Sequence, residues 1–177
     1  MPKARVTVAH RARGVREDLL QKTPFRSVAQ EATIALLKTA AVVDRSLNRV
    51  LAPSGLSHEQ YNVLRILRGA GPAGLPTLEI RRRMVNEGAA ITRLLDKLER
   101  AGLVVRERPA PNRRQVLCRL TPAGDALLER WHESVSLTDE DAVRSLSERE
   151  QRTLMRLLDR IRTDVRRRAQ EAPAAPA

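Results

Sequence analysis

The residues of this chain that could do chemistry are cations, and their chemistry is recognition of a polyanion rather than bond making. When residues 86–100 are projected at about 100° per residue, Asn86, Ala89, Thr92, Arg93, Asp96, Lys97 and Arg100 fall on one side of a helix. An arginine there presents a planar fork of donors suited to bidentate contact with a base edge, whereas a lysine offers a compact point charge suited to a phosphate. The other side carries Ile91, Leu94, Leu95 and Leu98 at i, i+3, i+4 and i+7, a face that must be buried. Gly88, Ala89 and Ala90 would make the first turn of this helix, small enough for its backbone to come close to a partner. Gly102 is placed to end it as the residue after the cap, because glycine enters the left-handed conformation without a Cβ penalty.

Constellations for catalysis are missing from the sequence. His10, His58 and His132 stand far apart, there is no HxxxH or CxxC pair, no serine lies in a nucleophile elbow, and the glycine-rich run GAGPAGLP lacks the lysine of a phosphate-binding loop. The carboxylates sit at helical spacing from arginines, as Asp96 does from Arg100, the pattern of a solvated face. The expectation is therefore no enzyme, no cofactor and no metal. With 33 Lys and Arg against 21 Asp and Glu, the net charge of +12 instead implies a polyanionic partner, of which nucleic acid is the commonest. A protein of membrane surfaces would share that balance, but no apolar run approaches the ~18 residues that span a bilayer, and the best candidate, 32–43, is interrupted by Lys38. The first residues lack the apolar stretch of a secretory signal, and Cys118 is the one cysteine, so a reducing, cytoplasmic setting is expected.

The elements that must hold the cationic face follow from the flanking sequence. Residues 103–108 (LVVRER) and 114–120 (RQVLCRL) are β-branched or alternating runs joined by the turn residues of 109–113, and together they read as a hairpin. Its charges are Arg106, Arg108, Arg113, Arg114 and Arg119 against Glu107. Alone, such a hairpin reads as a solvated arginine-rich loop. Following a helix that has a small, polar start and a glycine stop, it has the layout of a winged helix-turn-helix.

Residues 1–25 form a basic arm that either tracks phosphates or has no fixed contacts. A first long helix is predicted over 26–52, with Leu36, Ala40, Val43, Leu47 and Val50 on one side and a stop before Pro53. Ser57 and Gln60 make a capping box for a second helix, which is apolar around most of its circumference and so belongs in the middle of the domain. Thr77 is predicted to cap a short helix through Met84 that faces Ile80 and Met84 inward and carries Arg81, Arg82 and Arg83. After the wing, Thr121-Pro122 starts another helix, which the acidic run 137–141 is expected to bend or interrupt. A second capping box, Ser147 with Glu150, opens the last helix, with Leu154, Leu157, Leu158, Ile161 and Val165 as its stripe and the tail 171–177 beyond it. The domain reading is thus a winged helix-turn-helix over 53–124 with terminal helices at 26–52 and 125–170. With three aromatics, Phe25, Tyr61 and Trp131, the core must be aliphatic and the fold mainly α with a small β-wing.

The run Ile91-Thr92-Arg93-Leu94-Leu95-Asp96-Lys97-Leu98-Glu99-Arg100-Ala101-Gly102-Leu103-Val104, then Arg113-Arg114-Gln115-Val116, then Leu120-Thr121-Pro122-Ala123-Gly124, resembles the MarR (multiple antibiotic resistance regulator) family of bacterial transcription factors. The family usually carries Asp-Arg-Arg at the wing, the acid helping to hold an arginine. Here Asn112 stands in the acid's place, which keeps a hydrogen-bond acceptor but loses the charge pairing.

The resemblance implies a homodimer joined through the terminal helices, whose stripes otherwise leave a monomer with its first and last helices packed together. It implies a double-stranded DNA partner, a pseudo-palindromic operator with half-sites ~34 Å apart, and repression. On that reading Arg93 reads a guanine edge beside Thr92, Asn86 and Ala89, Arg113 and Arg114 enter the minor groove, and Thr77, Arg81, Arg82 and Lys97 hold phosphates. The alternative is a sequence-nonspecific architectural DNA-binding protein. The resemblance also implies a small-molecule effector, for which the chain offers Arg45, Arg49, His58, Tyr61 and Trp131; the competing reading of those residues is an ordinary packed helix junction. The family's cysteine sensors place a thiol in the first helix, where this chain has none, so Cys118 reads as a small strand residue.

Overall fold

The computed structural model describes residues 14–108 and 116–171. The chain divides into two compact units, Met1–Arg49 and Val50–Ala177. In the first unit the segment read as an arm is not wholly irregular. Val15–Asp18 forms one helical turn, α1, after which Arg16 folds back to donate to the carbonyls of Gln21 (3.2 Å) and Lys22 (2.7 Å). Helix α2, Val28–Leu51, begins where Ser27 Oγ accepts from the Gln30 N–H at 3.1 Å. It gives way at Ala52–Ser54 to a 3-10 turn containing Pro53 and closed by Gly55.

The second unit is built around α3, His58–Ala70. Its predicted capping box is present: Ser57 Oγ accepts from the Gln60 N–H at 3.2 Å, and Gln60 Oε1 accepts from the Ser57 N–H at 2.9 Å. Val63, Leu64 and Leu67 are sealed from solvent, and α3 touches α4 (Thr77–Arg83), α5 (Ile91–Arg100), α6 (Pro122–Val143) and strand β3 (Leu117–Leu120). The all-round apolar helix therefore lies in the middle, as its composition required. The rest of the core comes from Ile80, Leu95, Leu98, Val104, Cys118 and Leu128, each almost fully buried.

The wing stem is β2, Val104–Glu107, paired antiparallel with β3 in the register Val104↔Leu120 to Glu107↔Leu117. The predicted turn and the tip arginines Arg113 and Arg114 lie outside the described residues. A third strand, β1 (Leu75–Pro76), lies at the end of the glycine-rich run GAGPAGLP; it pairs with β3 at Leu75↔Cys118, giving the sheet order β1-β3-β2. Two residues carry no periodicity, and proline cannot donate to a ladder, so a strand this short at a sheet edge leaves no mark in the sequence.

Two other expectations are corrected. Thr77 is not a cap: Pro76 occupies the cap position without a side-chain bond, while the Thr77 N–H donates to the Val116 carbonyl at 3.2 Å and its hydroxyl lies 3.7 Å from Cys118 Sγ. The acidic run 137–141 does not interrupt α6, which continues to Val143. Carboxylates on a solvated helix need no break when they stand clear of the core, and Asp139, Glu140 and Asp141 are all exposed. Beyond that end, Ser147 and Glu150 form the second predicted box, at 2.8 Å and 3.4 Å, and open α7, Glu148–Glu171.

Candidate nucleic-acid interface

Helix α5 shows how the sequence makes a presenting surface. Ile91, Leu94, Leu95 and Leu98 are buried at 8%, 9%, 1% and 0% exposure, so the aliphatic face fixes which side looks outward. At its end, Gly102 has φ +70°, the Leu103 N–H reaches the Leu98 carbonyl at 2.9 Å, and the Gly102 N–H reaches Glu99 at 2.9 Å. These two bonds are a Schellman closure, which turns the chain directly into β2. The α6 start is clamped to the same corner. The Thr121 N–H donates to the Leu103 carbonyl at 3.1 Å, and Thr121 Oγ1 donates to Gly102 and accepts from the Gly124 N–H. A Cβ on Gly124 would run into the Leu103 carbonyl oxygen, so the first turn of α6 can approach this closely only with glycine there.

On the outward face Thr92, Arg93 and Lys97 are exposed, and neither Arg93 nor Lys97 makes an ion pair among the described residues. Asp96 behaves differently from its predicted pairing. Arg100 donates to the backbone carbonyl of Asp96 at 3.2 Å, while the Asp96 carboxylate meets Arg106 Nη2 of the wing at 2.7 Å. Glu99 joins the same guanidinium, at 2.9 Å from Nε and 2.5 Å from Nη2. That hydrogen bonding holds the Glu99 carboxyl below the usual carboxylate range. Arg106, one of the hairpin's cations, is thus a clamp between wing and helix. Arg119 is likewise occupied, by Glu107 and by the Pro72 carbonyl at 3.0 Å.

The segment before α5 is also corrected. Asn86 and Ala89 do not ride on the helix, which begins at Ile91; they lie in the turn between α4 and α5. Asn86 Nδ2 donates to Glu59 of α3 at 3.0 Å and Oδ1 accepts from the Gly88 N–H at 3.1 Å, while the Val85 N–H donates to Asn62 of α3 at 3.2 Å. Both ends of the Asn86 amide are therefore engaged in holding the turn. Helical projection through Gly88 failed because glycine and an asparagine that bonds its own backbone favour a turn over a first helical turn.

In α4, Ile80 and Met84 face inward as predicted. Arg82 pairs with Glu79 at 2.7 Å, leaving Arg81 and Arg83 exposed without an ion pair among the described residues. The i, i+3 spacing of Glu79 and Arg82 was the available signal for that pair. Arg81 and Arg83 on α4 and Arg93 and Lys97 on α5 are thus exposed cations without an ion pair among the described residues, and Val85, in the turn between the helices, is 78% exposed.

The effector candidates are placed as follows. Arg45 and Arg49 are exposed on α2, His58 and Tyr61 belong to the first turn of α3, and Trp131 is half-buried on α6. Tyr61 is a core residue at 3% exposure, and burial pushes its hydroxyl pKa up against the opposing pull of Arg65 and Arg68. Its ring is packed and offers no face to a ligand. Cys118 is fully buried, and burial likewise raises its thiol pKa. Among the described residues no His, Cys, Asp and Glu group could hold a metal, and no helix is long and apolar enough to cross a membrane.

Residues 56–116 match the model of the MarR family. The HTH-type transcriptional regulator PecS of Dickeya dadantii is 31% identical over 127 residues, 71% of this chain and 76% of PecS. The crystal structure of a MarR transcription factor from Planctomyces limnophilus is 38% identical, has a TM-score of 0.59, and the match covers 77% of this chain and 98% of that one. The chain belongs to the MarR family. A mutant MarR from Escherichia coli, solved in complex with operator DNA, is 29% identical with a TM-score of 0.64, over 71% of this chain and 89% of that one.

Proposed function

We propose that this MarR-family chain is a sequence-specific DNA-binding transcriptional regulator that lays α5 in the major groove, with Arg93 reading a guanine edge and Thr92 beside it. The observation that carries this reading is the state of α5: its aliphatic face is locked in the core while Arg93 and Lys97 stand exposed without ion pairs among the described residues. A cation that has no carboxylate partner loses no protein contact when it meets a phosphate or a base. Lys97, Arg81 and Arg83 hold phosphates and set register, and the wing tip with Arg113 and Arg114 addresses the minor groove.

The operative form is a homodimer, and its symmetry calls for a pseudo-palindromic operator. Supporting this, α7 buries none of its residues and leaves Leu154, Leu157, Ile161 and Val165 exposed at 38–62%. A seated dimer represses by occupying the duplex. Effector release forms no part of this reading, because Tyr61, one of the two aromatics among the candidate effector residues, is buried.

Selection of bound duplexes from a random pool tests the proposal. Enrichment of inverted half-sites with centres about one helical turn apart is expected. Recovery of unrelated sequences at equal affinity would favour the nonspecific architectural reading instead.

A further inference from the structure

The last turns of α7 carry charge that the dimer reading does not use. The apolar stripe ends at Val165, and the next three residues are Arg166, Arg167 and Arg168, which at about 100° per residue spread cations around more than half of the helix. This stretch cannot continue an apolar contact. The structure shows where it lies: Arg166 Nη2 is 3.1 Å from Glu87 Oε1, and Glu87 sits in the turn that leads into α5. The pair is 68% and 59% exposed, so its contribution to stability is small and its meaning is positional.

Glu87 is the carboxylate of residues 84–90, which lie between Arg81 and Arg83 on one side and Arg93 and Lys97 on the other. Facing phosphates, an unpaired carboxylate there would repel them; Arg166 neutralises it. Arg167 reaches Asp164 and Glu171 only at 3.3 Å and 3.5 Å, and Arg168 makes no ion pair among the described residues.

We infer that the end of α7 is a further nucleic-acid contact, in which Arg166 neutralises Glu87 while Arg167 and Arg168 hold the phosphate backbone flanking the segment that α5 reads. This inference rests on the proposed DNA-binding function and extends its footprint. The contact carries no base specificity, since it consists of cations against phosphate.

The test compares two double variants of the full chain, Arg167→Gln/Arg168→Gln and Arg149→Gln/Arg152→Gln. Each removes two charges from α7, and glutamine keeps helix propensity close to that of arginine. Arg149 lies about 25 Å along the helix from Arg166, well beyond a Debye length of about 8 Å. Binding to a duplex with long flanks is measured as a function of salt. The first variant is expected to lower the slope of log K against log salt by about one unit per chain for each arginine that meets a phosphate, with operator preference unchanged. The second is expected to leave the slope as in the parent.

Equal slopes for all three proteins, or an equal drop in both variants, would overturn the inference while leaving the operator reading intact. Binding of the parent to vesicles rich in phosphatidylserine, lost in the first variant with the DNA slope unchanged, would give the patch to lipid and overturn it too. If the parent binds no DNA in a salt-dependent way, the proposed function itself fails, and the inference with it.

Discussion

Arg93 and Lys97 lie four residues apart on one face of α5, yet their proposed roles separate cleanly in an experiment. Arg93→Ala should lower the ratio of operator to random-duplex affinity by about 1–3 kcal/mol, the worth of one bidentate base contact. Lys97→Ala should weaken every duplex alike and reduce the salt slope by about one unit. Competition binding at several salt concentrations reads both, and identical behaviour of the two variants would contradict the assignment. Cys118 offers a second test at this scale. Its sulfur is sealed in the sheet and burial disfavours the thiolate, so a thiol reagent should modify it at the rate of global unfolding in native buffer and rapidly in denaturant. Fast modification of the native protein would show that the strand opens.

At the scale of elements, the wing is joined to α5 by a clamp of two carboxylates and one guanidinium. Arg106→Ala should cost about 1 kcal/mol in urea unfolding, because Asp96 and Glu99 are 43% and 38% exposed and water replaces part of what is lost. The pH dependence has a definite sign. Glu99 has a depressed pKa in the folded state, so its stabilising contribution is present above the unfolded carboxylate value and is lost as pH falls through the lowered one. Stability should therefore decline with acid below the normal glutamate range, and Arg106→Ala should flatten that decline. The two glycines of the corner differ in cause. At Gly102 a Cβ meets nothing within 4 Å, so Gly102→Ala should cost about 1 kcal/mol from the left-handed backbone alone. Gly124→Ala should cost more, because its Cβ strikes the Leu103 carbonyl and the start of α6 must move. A larger loss at Gly102 than at Gly124 in parallel unfolding curves would reverse this explanation.

For the whole molecule, the unburied stripe of α7 is the feature that a second copy explains best. Leu157→Glu with Ile161→Glu should convert the proposed dimer to a monomer in sedimentation while leaving the far-ultraviolet helix signal of the winged helix in place. Operator affinity should fall steeply, since two half-sites would then be bound independently. A variant that stays dimeric would move the interface elsewhere.

What the sequence determined by itself was whatever depends on neighbours in the chain. Capping boxes at Ser57 and Ser147, the stop at Gly102, the Thr121-Pro122 start and the buried face of α5 rest on spacings of three or four residues, and all are present. The tertiary structure decided what depends on partners distant in sequence. Asp96 turned from Arg100 to Arg106, Asn86 to Glu59 and Thr77 to Cys118, and two residues at 75–76 became a strand because β3 lay alongside. Periodicity reports which face of an element is apolar, but not which charge on the other face finds a partner. That is why the order of elements was legible in the sequence, while the separation of the loose cations Arg93 and Lys97 from the clamped ones, Arg106 and Arg119, required the fold.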